Sequence, residues 1–190
     1  MDNTQQMPPE RHIGAVNWVG LGTLYGKECR RFFKVWLQTI VAPTITSMLF
    51  LAVFSLALGR AVPEIGGVSF LQFMAPGLIV MAMMQNAFAN TSSSLMISKV
   101  QGNVVDVLMP PLSPGELLIG FAMGGVSRGL VVAVVLSLVM LPFVHLEVHH
   151  FGFLLLHAFA ASMMLSLLGL LTAIWAEKFD QLAAVTNFVI

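Results

Sequence analysis

The sequence predicts an all-α, polytopic helical membrane protein with an N-terminal amphipathic interfacial helix, four complete transmembrane helices and the start of a fifth. The first observation is composition, because 57% of the 190 residues are hydrophobic and only 9% are charged, against about 25% in soluble domains. The second is four long apolar stretches, at residues 35–59, 70–97, 116–144 and 152–176. Each reaches the length of about 20 residues that a spanning helix needs.

The charge balance and the cysteine content exclude several classes of protein. Nine Lys and Arg residues balance nine Asp and Glu residues, so the chain lacks the basic face that nucleic-acid binding requires. We therefore expect no nucleic-acid partner. Cys29 is the only cysteine, which excludes an intrachain disulfide, a CxxC redox pair and a thiolate zinc site.

Residues 1–15 are expected to form a polar cytoplasmic N-terminus. They lack the basic, then apolar, then small-residue layout of a secretion signal. Residues 16–36 are expected to form an amphipathic helix, because apolar side chains recur there every three or four residues. Its apolar face comprises Trp18, Leu21, Tyr25, Cys29, Phe32 and Trp36, and its polar side comprises Asn17, Lys27, Arg31 and Lys34. Such a helix lies in the headgroup layer, where its cations meet anionic membrane lipid.

The distribution of cations predicts the orientation of the spans. Positive residues favour the cytoplasmic side of a membrane. The side of the bundle that holds the N-terminus carries Arg11, Lys27, Arg30, Arg31, Lys34, Lys99 and Lys178, and the opposite side carries only Arg60. We therefore expect a cytoplasmic N-terminus.

A further apolar run begins after the polar segment Glu177 to Gln181 and extends from Leu182 to Ile190. Nine residues cover roughly half of a membrane thickness. A chain end inside hydrocarbon would leave carbonyl groups unpaired. We therefore expect that the native protein continues through this fifth helix and that the 190 residues are a fragment.

The loop between the second and third spans, residues 99–115, carries a short apolar element. Gly102 and Asn103 favour its start, and Pro110 and Pro111 end it. About one and a half turns of helix are expected at Asn103 to Met109, with Val104, Val107 and Leu108 on a shared face. An apolar face in a cytoplasmic loop indicates a covering partner.

The order of several motifs resembles the ATP-binding-cassette (ABC) type-2 permease family, the membrane subunits of bacterial exporters of polysaccharides, lipo-oligosaccharides and drugs. The matching runs are Ala75-Pro76-Gly77-Leu78, Ser92-Ser93-Ser94, Lys99-Val100-Gln101-Gly102, Val105-Asp106-Val107-Leu108, Pro110-Pro111-Leu112-Ser113-Pro114-Gly115-Glu116 and Gly124-Gly125-Val126-Ser127-Arg128-Gly129. The resemblance covers nearly the whole chain.

The resemblance implies a transport role without enzymatic activity. It makes residues 37–190 a permease domain, residues 16–36 a connecting helix and residues 99–115 a coupling loop that docks on a separate ATPase subunit. The expected ATPase-coupling residues are Val104, Asp106, Val107, Leu108 and Met109. The resemblance also implies ATP bound by the partner and no cofactor in this chain, a second permease copy in a homodimer, and a multi-pass location in the bacterial inner membrane.

Arg128 lies near the middle of the third span, where a charge costs several kcal/mol unless it faces protein or water. At the same depth the second span places Gln85 and Asn86, with Asn90 one turn closer to the cytoplasm. These amides are its expected partners. Two interpretations stay open at this stage: a polar clamp between helices, or a cationic point on the translocation path.

Two pairs of glycines in the third span, Gly120 with Gly124 and Gly125 with Gly129, have the small-xxx-small spacing that allows close helix approach. Packing within the chain is the expected use, and a contact between two copies is the alternative.

Two rival functions remain open on the sequence alone. His145, Glu147, His149 and His150 cluster in the loop after the third span, and a metal-dependent membrane enzyme could use His145, His149 and His150. Their order is not the HExxH of a zinc protease, and a metal site is not the expected reading. The second rival is a membrane assembly factor that transports nothing.

Overall fold

The computed structural model describes residues 14, 16–59, 62, 64–145 and 148–189. Within these residues the helices are α1 (Trp18–Lys34), α2 (Ala42–Leu58), α3 (Phe70–Val100), α4 (Val104–Leu108), α5 (Pro114–Met140), α6 (Phe151–Trp175) and α7 (Phe179–Val189). Most of the polar N-terminus, Arg60, Glu147 and Ile190 lie outside the described residues. The all-α prediction is confirmed.

Four helical segments are long and apolar enough to cross a membrane: Leu37–Leu58, Phe70–Val100, Pro114–Met140 and Phe151–Trp175. They coincide with the four predicted spans, and their ends differ by a few residues. The largest differences are at the C-terminal end of α3, which continues to Val100, and at the C-terminal end of α5, which stops at Met140. The 31 residues of α3 extend about 46 Å, so this helix is longer than the hydrocarbon core.

The segment between α1 and α2 contains one turn of π-helix. The turn Leu37–Val41 is a π-helix, in which the Ala42 N–H donates to the Leu37 carbonyl. A wider turn is expected here, because Pro43 has no N–H and its ring would collide with the carbonyl four residues earlier. The Thr39 hydroxyl donates to the Phe32 carbonyl at 2.8 Å, which ties the first span back to α1.

A short hairpin connects α2 and α3 at the opposite end of the bundle. Its strands β1 (Glu64–Ile65) and β2 (Val68–Ser69) are antiparallel, with Ile65 paired to Val68. The turn residues Gly66 and Gly67 have φ values of +61° and +85°, which glycine adopts without steric cost. Sequence reasoning assigned this segment to a loop and did not predict the pairing.

The central helix of the bundle is α3, which packs against α2, α5 and α6. The larger apolar cluster lies between α2, α3 and α5. Small side chains and hydroxyl groups dominate the α3 to α6 contact: the Thr91 hydroxyl donates to the Ser166 carbonyl at 2.7 Å, and the Ser166 hydroxyl donates to the Ala122 carbonyl on α5 at 2.9 Å. Such contacts satisfy polar groups that lipid cannot.

Both glycine pairs of α5 are used inside the chain. A Cβ atom at Gly120 would stand 2.6 Å from a Leu24 methyl carbon, and one at Gly124 would stand 2.6 Å from the Glu28 Cβ. The other pair faces α3, where a Cβ at Gly129 would stand 2.8 Å from the Met83 carbonyl oxygen. The packing interpretation therefore holds for both pairs, and these glycines are covered by α1 and α3.

Lys99 joins the C-terminal end of α3 to the C-terminal end of α6. Its ammonium group donates to the carbonyls of Ala173, Ile174 and Ala176 at 3.0, 3.0 and 2.6 Å. A cation is stabilising at a helix C-terminus, where the last carbonyls have no partner in the helix. Beyond this point α7 begins, and its Leu182 packs with Met96 and Ala176.

The contact between α1 and α5 gives a prediction about stability. Gly124→Ala places a methyl group against the Glu28 Cβ, which is close to the α1 backbone and cannot move aside easily. We expect a loss of about 1 to 3 kcal/mol, the usual cost of overpacking, seen as a lower midpoint of thermal unfolding in detergent. Gly77→Ala in α3 is the matched control, because nothing lies within 4 Å of its added Cβ. An unchanged midpoint for Gly124→Ala would contradict the observed contact.

Candidate functional site

The first turn of α1 is attached to the loop before α5. The Asn17 side-chain oxygen caps α1 by accepting from the Gly20 N–H, and its amide donates to the Pro111 carbonyl at 3.1 Å. The Asn17 backbone N–H donates to the Glu116 carboxylate at 2.5 Å. Glu116 also forms a capping box with Ser113 at the start of α5. The Pro-Leu-Ser-Pro-Gly-Glu run therefore starts one helix and holds the start of another.

From this attachment α1 follows the first turns of α5 in the same direction. Leu24 meets Gly120, Glu28 meets Gly124, and the Tyr25 hydroxyl lies 2.8 Å from the Ser127 hydroxyl. The buried side of α1 consists of Leu24, Glu28 and Phe32. The glycines remove the steric barrier, so the backbone of α1 lies close to that of α5.

Glu28 is a carboxylate with no exposed surface. One of its oxygens accepts a hydrogen bond from the Ser94 hydroxyl at 2.7 Å, and the other lies 3.2 Å from an Arg31 guanidinium nitrogen. A buried charge is costly unless it is paired and hydrogen-bonded. Arg31 provides the counter-ion and Ser94 provides a hydrogen bond to Oε1, whereas Oε2 accepts no hydrogen bond from the described residues.

Arg31 extends from α1 to α3. Its guanidinium donates to the Asn90 carbonyl at 2.6 Å, to the Asn90 side-chain oxygen at 3.0 Å and to the Ser93 hydroxyl at 3.2 Å. Together with the hydrogen bond from Ser94 to Glu28, these bonds join α1 to the C-terminal half of α3.

Arg128 of α5 contacts α3 at Asn86, one helical turn before the Arg31 contact at Asn90. Its guanidinium donates to the Asn86 side-chain oxygen at 2.9 Å, and the Asn86 amide in turn donates to the Ala82 carbonyl. The structure thus brings Arg128 to Asn86, one of the three expected partners. Asn90 contacts Arg31 instead, and Gln85 has no hydrogen bond to Arg128.

We call Glu28, Arg31, Asn86, Asn90 and Arg128 the polar cluster. Three of its buried nitrogen donors have no hydrogen-bond acceptor within the described part of the chain: Nε of Arg31, Nδ2 of Asn90 and Nε of Arg128. The cluster also holds two guanidinium groups and one carboxylate. It therefore has spare donors and one unbalanced positive charge.

This arrangement corrects the sequence interpretation of α1. We expected Arg31 on the polar side facing lipid headgroups, but its guanidinium is turned toward α3. Glu28 was not singled out, although it is the most deeply buried charge among the described residues. A signal was available, because Glu28 and Arg31 stand at the i, i+3 spacing of an intrahelical ion pair. The aromatic residues Trp18 and Trp36 remain exposed.

The loop of residues 99–115, predicted to couple to an ATPase, presents an apolar surface formed by α4 and by Met109, which follows it. Val105, Leu108 and Met109 are 57%, 62% and 75% exposed. Asp106 is also exposed. We call Val105, Leu108 and Met109 the α4 apolar face.

Val107 is turned the other way and packs against the cluster of Leu24, Phe121 and Leu170. Val104 is also partly buried. The shared face predicted for Val104, Val107 and Leu108 is therefore wrong, because Val107 fills the space beneath α1 while Leu108 faces outward.

The histidines of the α5 to α6 loop do not form a compact site in the part of the chain that the structure describes. His145, His149 and His150 are exposed. No group of three or more His, Cys, Asp or Glu side chains stands close enough to hold a metal ion among the described residues. Glu147 lies outside them.

Comparison with known proteins supplies the context for these geometries. A family model described as ABC-2 type transporter matches residues 20–190. The chain is 36% identical over 173 residues to the inner membrane transport permease YadH of Escherichia coli K12, which covers 91% of this chain and 68% of that protein. The proteins of the same name from Escherichia coli O157:H7 and Shigella flexneri match equally well. No solved structure matches significantly.

The buried ion pair predicts a compensating pair of substitutions. Arg31→Met leaves the Glu28 carboxylate buried without its counter-ion, and we expect a loss of about 3 to 5 kcal/mol. Adding Glu28→Gln removes the charge and should restore most of the thermal stability in detergent. Arg30→Met on the exposed side of α1 is the control and should change little. A double variant as unstable as Arg31→Met would show that Glu28 and Arg31 do not act as a pair.

Proposed function

Because the chain belongs to the ABC-2 type transporter family, we propose that it is the permease subunit of an exporter driven by a separate ATPase. Family membership makes it a multi-pass membrane transport subunit of an ABC transporter, and it implies association with an ATP-binding cassette subunit. The outward direction and the substrate class are our proposals. The substrate class we propose is a polysaccharide, a lipid-linked molecule or an amphiphilic drug-like molecule.

The α4 apolar face is the observation that carries this proposal. Work done by an ATPase must reach a permease through a contact that persists while the ATPase changes shape. The exposed side chains of Val105, Leu108 and Met109 offer an apolar contact surface to a soluble partner. This surface is fixed to the bundle, because Val107 packs into the bundle and Pro111, in the segment after α4, is bonded to Asn17.

The polar cluster is the proposed translocation site. Its spare N–H donors and unbalanced positive charge suit a polar or anionic group that passes between α1, α3 and α5. Gln85 lies one residue from Asn86 and is partly exposed, so we include it. The alternative is that Arg128 only joins α5 to α3, through its hydrogen bond to the Asn86 side-chain oxygen.

Further parts of the proposal concern assembly and chemistry. The native transporter contains a second permease copy, membrane lipid surrounds it, and the N-terminus lies in the cytoplasm of a bacterium. The permease itself performs no catalysis and needs no cofactor, since ATP binds to the partner. The relatives are named transport permeases, which supports a role in transport.

Leu108→Asp tests the coupling contact. It places a charge in the proposed apolar socket, and we expect the recovery of co-purified ATPase to fall at least tenfold, which corresponds to about 1.4 kcal/mol. Membrane insertion and thermal stability should stay unchanged, because Leu108 is exposed.

Two further variants control this test. Val148→Asp adds the same charge at an exposed apolar position in the α5 to α6 loop and should leave ATPase binding intact. Val107→Asp should damage the permease itself, because Val107 packs against its own core. If Leu108→Asp retains the ATPase as well as the parent does, α4 is not the coupling element.

Arg128→Leu separates the two roles of the polar cluster. Loss of a hydrogen bond between membrane helices costs about 0.6 to 2 kcal/mol, so the variant should fold and insert. If Arg128 lines the path, ATP-dependent efflux measured with a panel of amphiphilic dyes should be abolished, while Arg128→Lys should retain part of it. Parental efflux by Arg128→Leu would leave Arg128 as a helix clamp only.

A further inference from the structure

The last turn of α6 is capped by a side chain from another helix. The Lys99 ammonium group donates to the carbonyls of Ala173 and Ile174 at 3.0 Å each, and to the Ala176 carbonyl, just past the helix, at 2.6 Å. An ammonium group has three N–H donors, so these three carbonyls use its whole donor capacity. Lys99 therefore completes the end of α6, whose last carbonyls lack partners within the helix.

The three hydrogen bonds lie at a break in the helix path. The residue that follows α6, Ala176, has an extended backbone with a ψ of 135°. A continuing helix would need the Glu177 N–H to donate to the Ala173 carbonyl. The Glu177 N–H donates instead to the Gln181 side-chain oxygen of α7 at 2.8 Å. Lys99 thus bonds both to the last turn of α6 and to the residue at which the chain turns toward α7.

Lys99 is also the residue at which the loop of residues 99–115 begins. Its own carbonyl accepts a hydrogen bond from the Gly102 N–H at 3.2 Å. Gly102 has a φ of +75°, the left-handed conformation that commonly ends a helix, and α4 follows at Val104. Lys99 therefore bonds to the start of the loop through its backbone and to the end of α6 through its side chain.

A second contact between α3 and this junction is apolar. Met96, one turn before Lys99, packs with Ala176 and with Leu182 of α7. Apolar packing is non-directional, whereas hydrogen bonds from a charged donor are directional and are stronger away from water. Ala173 and Ala176 have no exposed surface. Of the two contacts, the one made by Lys99 therefore fixes the orientation of the junction.

We propose that Lys99 is a positioning residue for transport, which transmits a displacement of α4 to the junction between α6 and α7. This inference rests on the proposed function, in which a separate ATPase acts on the α4 apolar face. When the loop moves, the end of α3 moves with it, and the three hydrogen bonds carry that displacement to the start of α7. Because α7 is predicted to begin the fifth span, the ATPase would move a further membrane segment through one side chain.

The test uses the full-length native permease, reconstituted in lipid nanodiscs together with the ATPase that co-purifies with it. Cys29→Ser removes the native thiol, and a single cysteine then replaces Gln101 in the loop or Asp180 in α7, both of which are exposed. The rate at which a maleimide modifies each cysteine is measured with and without ATP plus vanadate, which traps the ATPase. In the parent we expect both rates to change by about twofold or more, since segments that switch between packed positions alter their exposure.

The Lys99 variants separate transmission from capping. Lys99→Met keeps most of the side-chain length but has no N–H donor. The cysteine at position 101 should still respond to nucleotide, because the ATPase still binds α4, and the cysteine at position 180 should no longer respond. Lys99→Arg keeps a cationic donor group and should restore most of that response. If Lys99→Met inserts poorly, Lys99→Gln takes its place, because its two N–H donors cannot serve three carbonyls.

Lys178→Met is the matched control. It removes an exposed cation from the same junction and should leave both responses at the parental level. Equal losses at position 180 for Lys178→Met and Lys99→Met would show that the charge of the junction matters, and not the three hydrogen bonds, which would overturn the proposal.

The remaining outcomes distinguish this inference from the proposed function. If position 180 responds as strongly in Lys99→Met as in the parent, Lys99 is only a helix cap and the proposal is wrong. If position 101 responds in the parent and position 180 does not, the junction does not follow the loop, and the proposal is wrong while the proposed function stands. If neither position responds in the parent, the coupling of α4 to an ATPase is contradicted, and this inference with it.

Discussion

The position of α1 against the bundle depends on one buried carboxylate, which needs partners from its own helix and from α3. Glu28 has no exposed surface, and a charge buried among apolar helices requires both a counter-ion and hydrogen bonds. Arg31 lies one turn along α1 and supplies the counter-ion within the same helix, whereas the hydrogen bond from Ser94 forms only if α1 lies against α3. The glycines of α5 permit this approach, and Arg31 extends the bonding to Asn90. The hydrogen bonds that join Glu28 and Arg31 to α3 therefore hold α1 in place and leave its opposite face exposed.

The same docking joins α1 to the loop of residues 99–115 by hydrogen bonds and by apolar packing. Asn17 joins the start of α1 to Pro111 and Glu116, and Val107 packs beneath α1 against Leu24. A force on α4 would consequently act on α1 as well as on α5. Lys99 adds a second link, because its three hydrogen bonds attach the end of α3 to the end of α6. Displacement of the loop would thus reach three membrane helices through short polar contacts.

The polar cluster contains hydrogen bonds that join helices, and it also contains donors that have no acceptor among the described residues. Arg128 is bonded to Asn86, and Arg31 is bonded to Asn90, so both cations contribute to helix packing. Donors on both guanidinium groups and on Asn90 remain without acceptors among the described residues. Polar groups that are buried and only partly satisfied are costly in a membrane. A site that binds a polar substrate during transport needs hydrogen-bond donors that are not already occupied. For this reason the polar cluster, and not the exposed histidines, is the proposed translocation site.

From the sequence alone one could predict the helical class, the four spans, the short helix between Gly102 and the prolines, and the position of Arg128 opposite Asn86. Those features follow from hydrophobic length, from proline and glycine chemistry, and from counting residues along antiparallel helices. The pairing of Arg128 with Asn86 could be predicted because both lie about 21 Å from the helix ends that border the loop of residues 99–115. The other features became visible only in the contacts between helices. The burial of Glu28, the inward turn of Arg31 and Val107, and the use of Gly124 by α1 depend on which helices are neighbours and how α1 is rotated. Periodicity along one helix shows which residues share a face, but the partner that covers that face is set by contacts between segments about 60 to 100 residues apart, and a single sequence does not contain those distances.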